Sequence, residues 1–404
     1  MKLLFPLLLP AICINSGCKN ASGKNAAKPQ LLISSIDTVI QENNPVEIKS
    51  KSYDSLVLSK EETLKSAPGT KSVLFNSNSS KLYAMNLEGM SVYEFDQSSK
   101  KIIKQFRFIP TKGMGWNYQL DKPEPSLQEK PVEACLTNHD SVLWVSLHNA
   151  EGIVPIRLYN NYNTYSDSSQ SLKNILVIHP GSAKKDTIKV PLIKTGKTPK
   201  VISATSNDKY LLVSNWHSNS VSIVEINNFF PYGKVIKQVP VTSIPRGIAI
   251  NDKMKESYIA IMGGSTIHVI DNDLWQTKKY IKVASNPRHI VTDSNGRLFV
   301  SFNKLSRVAC IDPVSGETLF STQTDAQPRT VKLSKNNKFL FVTCYGGETI
   351  DIFKIYDRSF VKIASLPCSG KPVGVDLYED DKTLEAWVCS YINGKISVYT
   401  FNKI

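Results

Sequence analysis

Arg246, Arg288 and Arg329 each follow a proline, at intervals of 42 and 41 residues. Lys200 follows Pro199 in the same way. A guanidinium offers two parallel N–H donors that match the oxygens of a carboxylate or phosphate, so arginines gathered in one place bind anions. The chain carries no Gly-rich phosphate loop, no H-E-x-x-H or G-x-S-x-G, and no paired-carboxylate motif. Its seven cysteines include no C-x-x-C spacing. With Cys13 removed and Cys18 acylated as argued below, five remain, an odd number that speaks against a disulfide framework, a zinc site or a c-type haem. No cofactor and no metal are expected.

The elements that must position these cations are short strands. The stretch Pro328–Cys368 reads as four of them: Thr330–Leu333, Phe339–Thr343, Thr349–Ile355 and Phe360–Ser365. Gly346 and Gly347 and the Lys335–Asn337 corner supply turns, where tight hairpins need residues tolerant of positive φ. The β-branched and aromatic runs suit pleated, half-buried strands. Similar units open at Pro199, Pro245, Pro287 and Pro372, and weaker ones near Gly69 and at Pro131. Seven four-stranded units at a spacing of 41 to 44 residues, from Pro245 through Pro372, predict an all-β, seven-bladed β-propeller of antiparallel blades. The last unit holds three strand-like runs before Ile404, so its fourth strand is expected from the alternating N-terminal segment, residues 31–64, which closes the ring and removes an open edge.

The repeats resemble the YVTN-type propeller repeat, also found in lactonase-like propellers. LLVSN at 211–215, LFVSF at 299–303, LFVTC at 340–344, Ile-Asp at 270–271 and 311–312, and the Pro-Arg openers carry the likeness over roughly residues 65–404. Gly-His and Trp-Asp dipeptides are absent, which speaks against WD40 repeats despite the shared propeller plan. The resemblance implies the fold but not one activity. It brings in propeller lipoproteins that capture nutrients, a class that binds single-stranded DNA, and lactonases that share the Pro-Arg-His opener seen at 287–289.

In a propeller the first strand of each blade lines the central channel, so its opening residues ring the mouth. In this register they are Glu133, Lys200, Arg246, Arg288, Arg329 and Val373. The turns after the second strands add His148, Trp216, His217, Asn303, Tyr345 and Tyr391 to the same face. Two insertions are expected to build up that face: residues 109–130, with Trp116 and Tyr118, and residues 148–174, with Tyr159, Tyr162 and Tyr165, placed between the second and third strands of unit two. The result is a basic funnel rimmed by aromatic side chains. The bland reading has each arginine tying neighbouring blades together through an acid. His289 reads as a packed residue.

Residues 1–18 read as a signal peptide: Lys2, an apolar run from Leu3 to Ile14 too short to span a bilayer, then Ser16-Gly17-Cys18, which resembles a bacterial lipobox with Asn15 out of pattern. Residues 19–30 read as a flexible tether and residues 31–404 as a single propeller domain. A formal charge of +14 favours anionic partners. These readings combine into a monomeric, exported, lipid-anchored binding protein of the bacterial envelope, in the periplasm or at the outer membrane. Its expected ligand is anionic: a glycan, a cofactor-like nutrient or nucleic acid. The competing readings are a lactonase-like hydrolase in which Glu133, His148, His217 and His289 converge on the mouth, and a scaffold for protein partners.

Overall fold

The computed structural model describes residues 53–117, 119–159 and 171–404. Residues 1–52, with the expected signal peptide, Cys18 and tether, lie outside the described residues, as do Tyr118, Tyr162 and Tyr165. The seven expected blades form. Their first strands are Thr70–Phe75, Pro131–Thr137, Pro199–Ala204, Pro245–Asn251, Pro287–Thr292, Pro328–Leu333 and Pro372–Glu379, each the inner edge of its sheet. An inner-edge position explains why six of these strands can begin with proline, which has no N–H to give to a neighbour.

Leu56–Lys65 supplies the outer strand of blade seven, antiparallel to Lys395–Lys403 from the Leu56–Lys403 pair to the Lys65–Lys395 pair. The ring is therefore closed by the N-terminal region, as the unpaired last unit required. Tyr53, just before this strand, stacks on Phe339 at 5.6 Å and donates a hydrogen bond to Glu379 at 2.8 Å. Between blades seven and one the core is aromatic: Trp387 is fully buried and meets Phe75 edge-on at 5.5 Å. Such pairs add about 0.5–1.5 kcal/mol beyond the burial of their area.

The second insertion is not where its sequence placed it. The third strand of blade two is Gly152–Arg157, paired directly with Val142–Leu147, and its fourth is the two-residue Ile193–Lys194. The insertion therefore falls between the third and fourth strands. Within it, Leu172–Ile178 and Lys185–Pro191 form a hairpin that extends blade one outward beside Ile102–Phe108. Pro155 had disguised the third strand. It is tolerated because the short fourth strand pairs only with Gly152 and Ile153, which leaves the outer edge at Pro155 without a strand neighbour. A connection from strand three to strand four emerges on the face opposite the mouth. Tyr159 accordingly lies over Lys81, at the far end of blade one, and not at the funnel.

Removing residues 1–65 is expected to leave Lys395–Lys403 as an open edge, lowering the thermal midpoint and promoting aggregation. Tyr53→Ala in the full chain is expected to cost roughly 2–4 kcal/mol, and Tyr53→Phe, which keeps the stack, about 1 kcal/mol. Urea titration of the three chains checks this; an unchanged midpoint in the truncated chain would show that closure depends on other contacts.

Candidate functional site

Each first strand carries a bulge immediately after its first paired residue. The register breaks between Thr70 and Ser72, Pro131 and Ala134, Pro199 and Ile202, Pro245 and Ile248, Pro287 and His289, Pro328 and Val331, and Pro372 and Gly374. A bulge re-aims a side chain at the edge of a sheet. Here the bulged position is Lys71, Val132, Lys200, Arg246, Arg288, Arg329 and Val373 in blades one to seven. Hydroxyls hold several of these backbones from the preceding blade: Ser146 donates to the Lys200 carbonyl at 2.7 Å, Ser214 to that of Arg246 at 3.0 Å and Ser301 to that of Arg329 at 2.7 Å.

Two sequence expectations are corrected by this register. Glu133 is not the equivalent of Lys200 and the arginines; Val132 is. Glu133 stands one residue further on and reaches across the mouth to Arg246 at 3.2 Å. Blade one, omitted from the expected ring, contributes Lys71 after Thr70, which replaces the usual proline. Lys71, Lys200, Arg246, Arg288 and Arg329 together line a chamber of about 470 Å³ at the mouth. Trp116, His148, Trp216, Tyr345 and Tyr391 line the same chamber, as expected, and Glu88, Glu124, Lys130 and Asn149 join them without having been singled out. Below the chamber the channel narrows to a neck of about 10 Å³ among Lys71, Arg246, Arg288, His289, Arg329, Thr330 and Val373. Asn303 instead ties its blade to the next through the Pro328 carbonyl at 3.0 Å.

The cations are stacked on the rim. Lys71 sits 4.6 Å from the Tyr391 ring centre, Lys200 4.3 Å from Trp216 and Arg329 3.9 Å from Tyr345. Each such contact contributes about 0.5–2 kcal/mol. Arg288 reaches the Met262 sulfur at 3.1 Å, in the rim position of blade four. Of Lys71, Arg246, Arg288 and Arg329, only Arg246 has an acid among the described residues within ion-pair distance. Arg246 and Arg288 are each 7% exposed, and the Nε and Nη1 of Arg246 and the Nε of Arg329 are buried without a hydrogen-bond acceptor.

Burial first, and then Arg329, Arg288 and Arg246, hold the Lys71 ammonium well below the usual lysine range. Lys71 is half-buried by surface area. Lys200 is depressed likewise, by burial and then by Lys71 and Arg246. Arg329 is lowered to about 10, chiefly by burial. The histidines follow the same logic. Burial and then Arg246, Lys332 and Arg288 push His289 down to about 3, and the Val331 N–H donates to its Nδ1 at 3.4 Å. It is a packed neutral residue of the neck.

The first insertion is a β-hairpin, Lys112–Asn117 with Lys122–Leu127, lying over the mouth. Its Trp116 ring meets His217 at 4.7 Å, so the hairpin reaches from its root between blades one and two to blade three. Under it, His148 and His217 share a side pocket of about 190 Å³ with Trp116 and Lys197. His148 Nδ1 lies 2.6 Å from Asn149 Oδ1, and His217 Nδ1 lies 2.7 Å from Thr198 Oγ1. Burial lowers both histidines. None of these three cavities is lined by Glu133, His148, His217 and His289 together. Among the described residues no group of His, Cys, Asp or Glu is arranged to hold a metal.

No family model matches the chain. Among curated proteins it is 23% identical over 242 residues to Antigen Lp49 of Leptospira interrogans serogroup Icterohaemorrhagiae serovar copenhageni, a match covering 55% of this chain and 52% of that protein. The chain thus spans about half the length of this curated relative. Among solved structures it is similar to virginiamycin B lyase from Staphylococcus aureus, at 14% identity and TM-score 0.59 over 85% of this chain and 99% of that one. It is also similar to the WD40 β-propeller domain of Doa1, at 12% identity and TM-score 0.59 over 86% and 97% of the two chains. At these identities the likeness is one of fold, and it is the seven-bladed, YVTN-like propeller that the repeats imply.

A lysine depressed in the fold keeps its proton longer in the unfolded chain, so the unfolded state binds more protons between the folded value and about 10.5, and stability rises with pH there. Histidines depressed from 6.5 act the same way only at lower pH. Buried thiols such as Cys135 and Cys389, pushed up, oppose the trend above about 8.5, where unfolded thiols ionise first. Between pH 7 and 8.5 the ligand-free protein is therefore expected to gain stability, by at most about 1.4 kcal/mol per pH unit per lysine. Lys71→Met should raise the pH 7 urea midpoint and flatten the slope. An equal slope in wild type and variant would exclude the crowded ammonium as its source.

Proposed function

We propose that this chain is an exported, lipid-anchored β-propeller that binds a small anionic ligand at the channel mouth and does no chemistry on it. The observation that carries the reading is the convergence of Lys71, Lys200, Arg246, Arg288 and Arg329 on one chamber, where, of Lys71 and the three arginines, Arg246 alone is ion-paired among the described residues, to Glu133. Like charges at this density repel, and low dielectric strengthens the repulsion. A bound anion relieves it. The aromatic rim adds flat faces for a ring or sugar.

Enclosure argues for a small ligand over a nucleic acid. Lys200, Arg246 and Arg288 are buried at the base of a funnel, whereas a polymer backbone is tracked by an open basic groove. The bland reading, arginines as blade ties, accounts for Arg246 through Glu133 but not for Arg288 or Arg329, which contact a methionine sulfur and a tyrosine ring. The hydrolase reading lacks a converged acid–base set. A place in the bacterial envelope, periplasmic or at the outer membrane, rests on the leader-like residues 1–18 and on Cys18 after Ser16-Gly17.

Three measurements test this. In wild type, sulfate should raise the melting temperature more than chloride at equal ionic strength, beyond its general effect on proteins. Arg288→Ala and Arg329→Ala should each weaken anion binding by roughly 1.5–3 kcal/mol while leaving the ligand-free midpoint unchanged or higher. Loss of stability with binding intact would instead make the arginines blade ties. For the anchor, a fatty-acid probe should label wild type and not Cys18→Ser; equal labelling of both would remove the anchor. Stable attachment by acylation takes more than one chain, so multiple labelling is expected.

A further inference from the structure

We propose that the chamber takes a phosphate monoester, with the phosphate at the neck among Lys71, Arg246, Arg288 and Arg329 and the organic part above it against the aromatic rim. This rests on the anion-binding reading and names the ligand's chemical class and its orientation.

The argument from shape has two tiers. The neck, at about 10 Å³, has room for about one water-sized atom. The chamber above it, at about 470 Å³, matches the size of a small-molecule site. A ligand therefore enters with a compact end down, one terminal atom in the neck and its body in the chamber. The four neck cations come from blades one, four, five and six, so their donors approach the axis from several sides. A carboxylate offers two oxygens in one plane. A phosphate monoester offers three terminal oxygens that diverge from the phosphorus, which suits donors placed around an axis.

Charge and unmade hydrogen bonds point the same way. Glu133 offsets one of the four neck cations. With the Lys71 proton restored by the bound anion, a monoanion leaves two positive charges uncompensated and a dianion one; a phosphate monoester carries about −1.5 to −2 at neutral pH. Arg246 is 7% exposed, and its Nε and Nη1 lack acceptors, as does the Nε of Arg329. Buried donors left unmade are costly, so the site is complete only when an acceptor with several oxygens is present. The rim then sorts the organic part. Trp216, Tyr345 and Tyr391 already stack on cations, and Trp116 of the hairpin lines the same chamber, so a flat ring or a sugar face fits among them.

Isothermal titration of the full chain with phenyl phosphate, phenyl sulfate, benzoate and inorganic phosphate separates the contributions. Phenyl phosphate is a tetrahedral dianion, phenyl sulfate a tetrahedral monoanion and benzoate a planar monoanion, all on one ring. Phenyl phosphate should bind about tenfold tighter than either monoanion, and tighter than inorganic phosphate. Arg288→Met and Arg329→Met, each checked for a cooperative melt, should lower phenyl phosphate affinity about tenfold and flatten the ranking. Benzoate or phenyl sulfate binding as tightly as phenyl phosphate would overturn the dianion and leave the anion site standing. Inorganic phosphate binding as tightly as phenyl phosphate would overturn the seating of the organic part. Phenyl phosphate binding unaffected by either arginine variant would overturn the location. Failure of all four anions to bind the folded protein would overturn both this inference and the anion reading beneath it.

Discussion

Closure is the constraint on which the rest of this molecule depends. The outer strand of the last blade is Leu56–Lys65, drawn from the other end of the chain, and its pairing with Lys395–Lys403 converts a row of seven repeats into a ring. Closed, the ring sets its seven first strands around one channel. With closure, any residue type placed at one position of the repeat is delivered to one point in space. Tyr53 ties the same junction to blade six through Phe339 and to the first strand of blade seven through the Glu379 carboxylate. The Lys335 N–H and Lys403 bind that carboxylate too.

The ring then makes a local irregularity into a site. A bulge at the same place in all seven first strands turns one side chain per blade toward the mouth. In five blades that side chain is a lysine or arginine and in two it is a valine. Nothing in blade packing requires a cation there, as Val132 and Val373 show by filling the position with apolar side chains. The cost falls on the folded state: burial first, and for Lys71 and Lys200 the neighbouring cations after it, depress these groups, and burial lowers Arg329. Stacking on Tyr391, Trp216 and Tyr345 offsets part of it. A site kept at such a cost is typical of function.

The fold was legible because period and strand pattern agreed at every level. The four runs expected between Pro328 and Cys368 are strands Pro328–Leu333, Phe339–Cys344, Thr349–Tyr356 and Ser359–Pro367. Lys200, Arg246, Arg288 and Arg329 were legible because proline marks the first residue of an inner strand. Lys71 was not, since Thr70 stands where proline does elsewhere; aligning unit one on the strand that follows would have found it. Glu133 was assigned to the wrong position although the spacing was decisive: the cations stand immediately after their prolines, and the residue immediately after Pro131 is Val132. The third strand of blade two was hidden by Pro155, a residue that argues against a central strand. It is allowed only because the outer neighbour there is two residues long, a tertiary circumstance with no local signature.

The misplaced insertion nevertheless bears on the mouth, by another route. Its hairpin supplies Lys173, whose ammonium lies 2.6 Å from Glu129 at the root of the hairpin that covers the chamber. Both residues are buried, and burying two charges is expensive unless their remaining hydrogen-bonding capacity is met. Here it is met. The Thr111 N–H donates to one Glu129 oxygen at 2.7 Å, the Thr111 hydroxyl to the other at 2.5 Å, and Lys173 also donates to Gln128 at 2.7 Å. Thr111 and Gln128–Glu129 are the two ends of the covering hairpin, so one lysine from the outer edge of blade one draws both ends together. Replacing the pair with apolar residues could match its stability, but apolar contacts would not fix the direction in which the hairpin leaves the ring. Direction is what brings Trp116 to His217, 4.7 Å apart and a blade away from the root. The extra strands on blade one thus act as a buttress. They take no part in the chamber wall, yet they fix the angle at which the chamber's cover meets it.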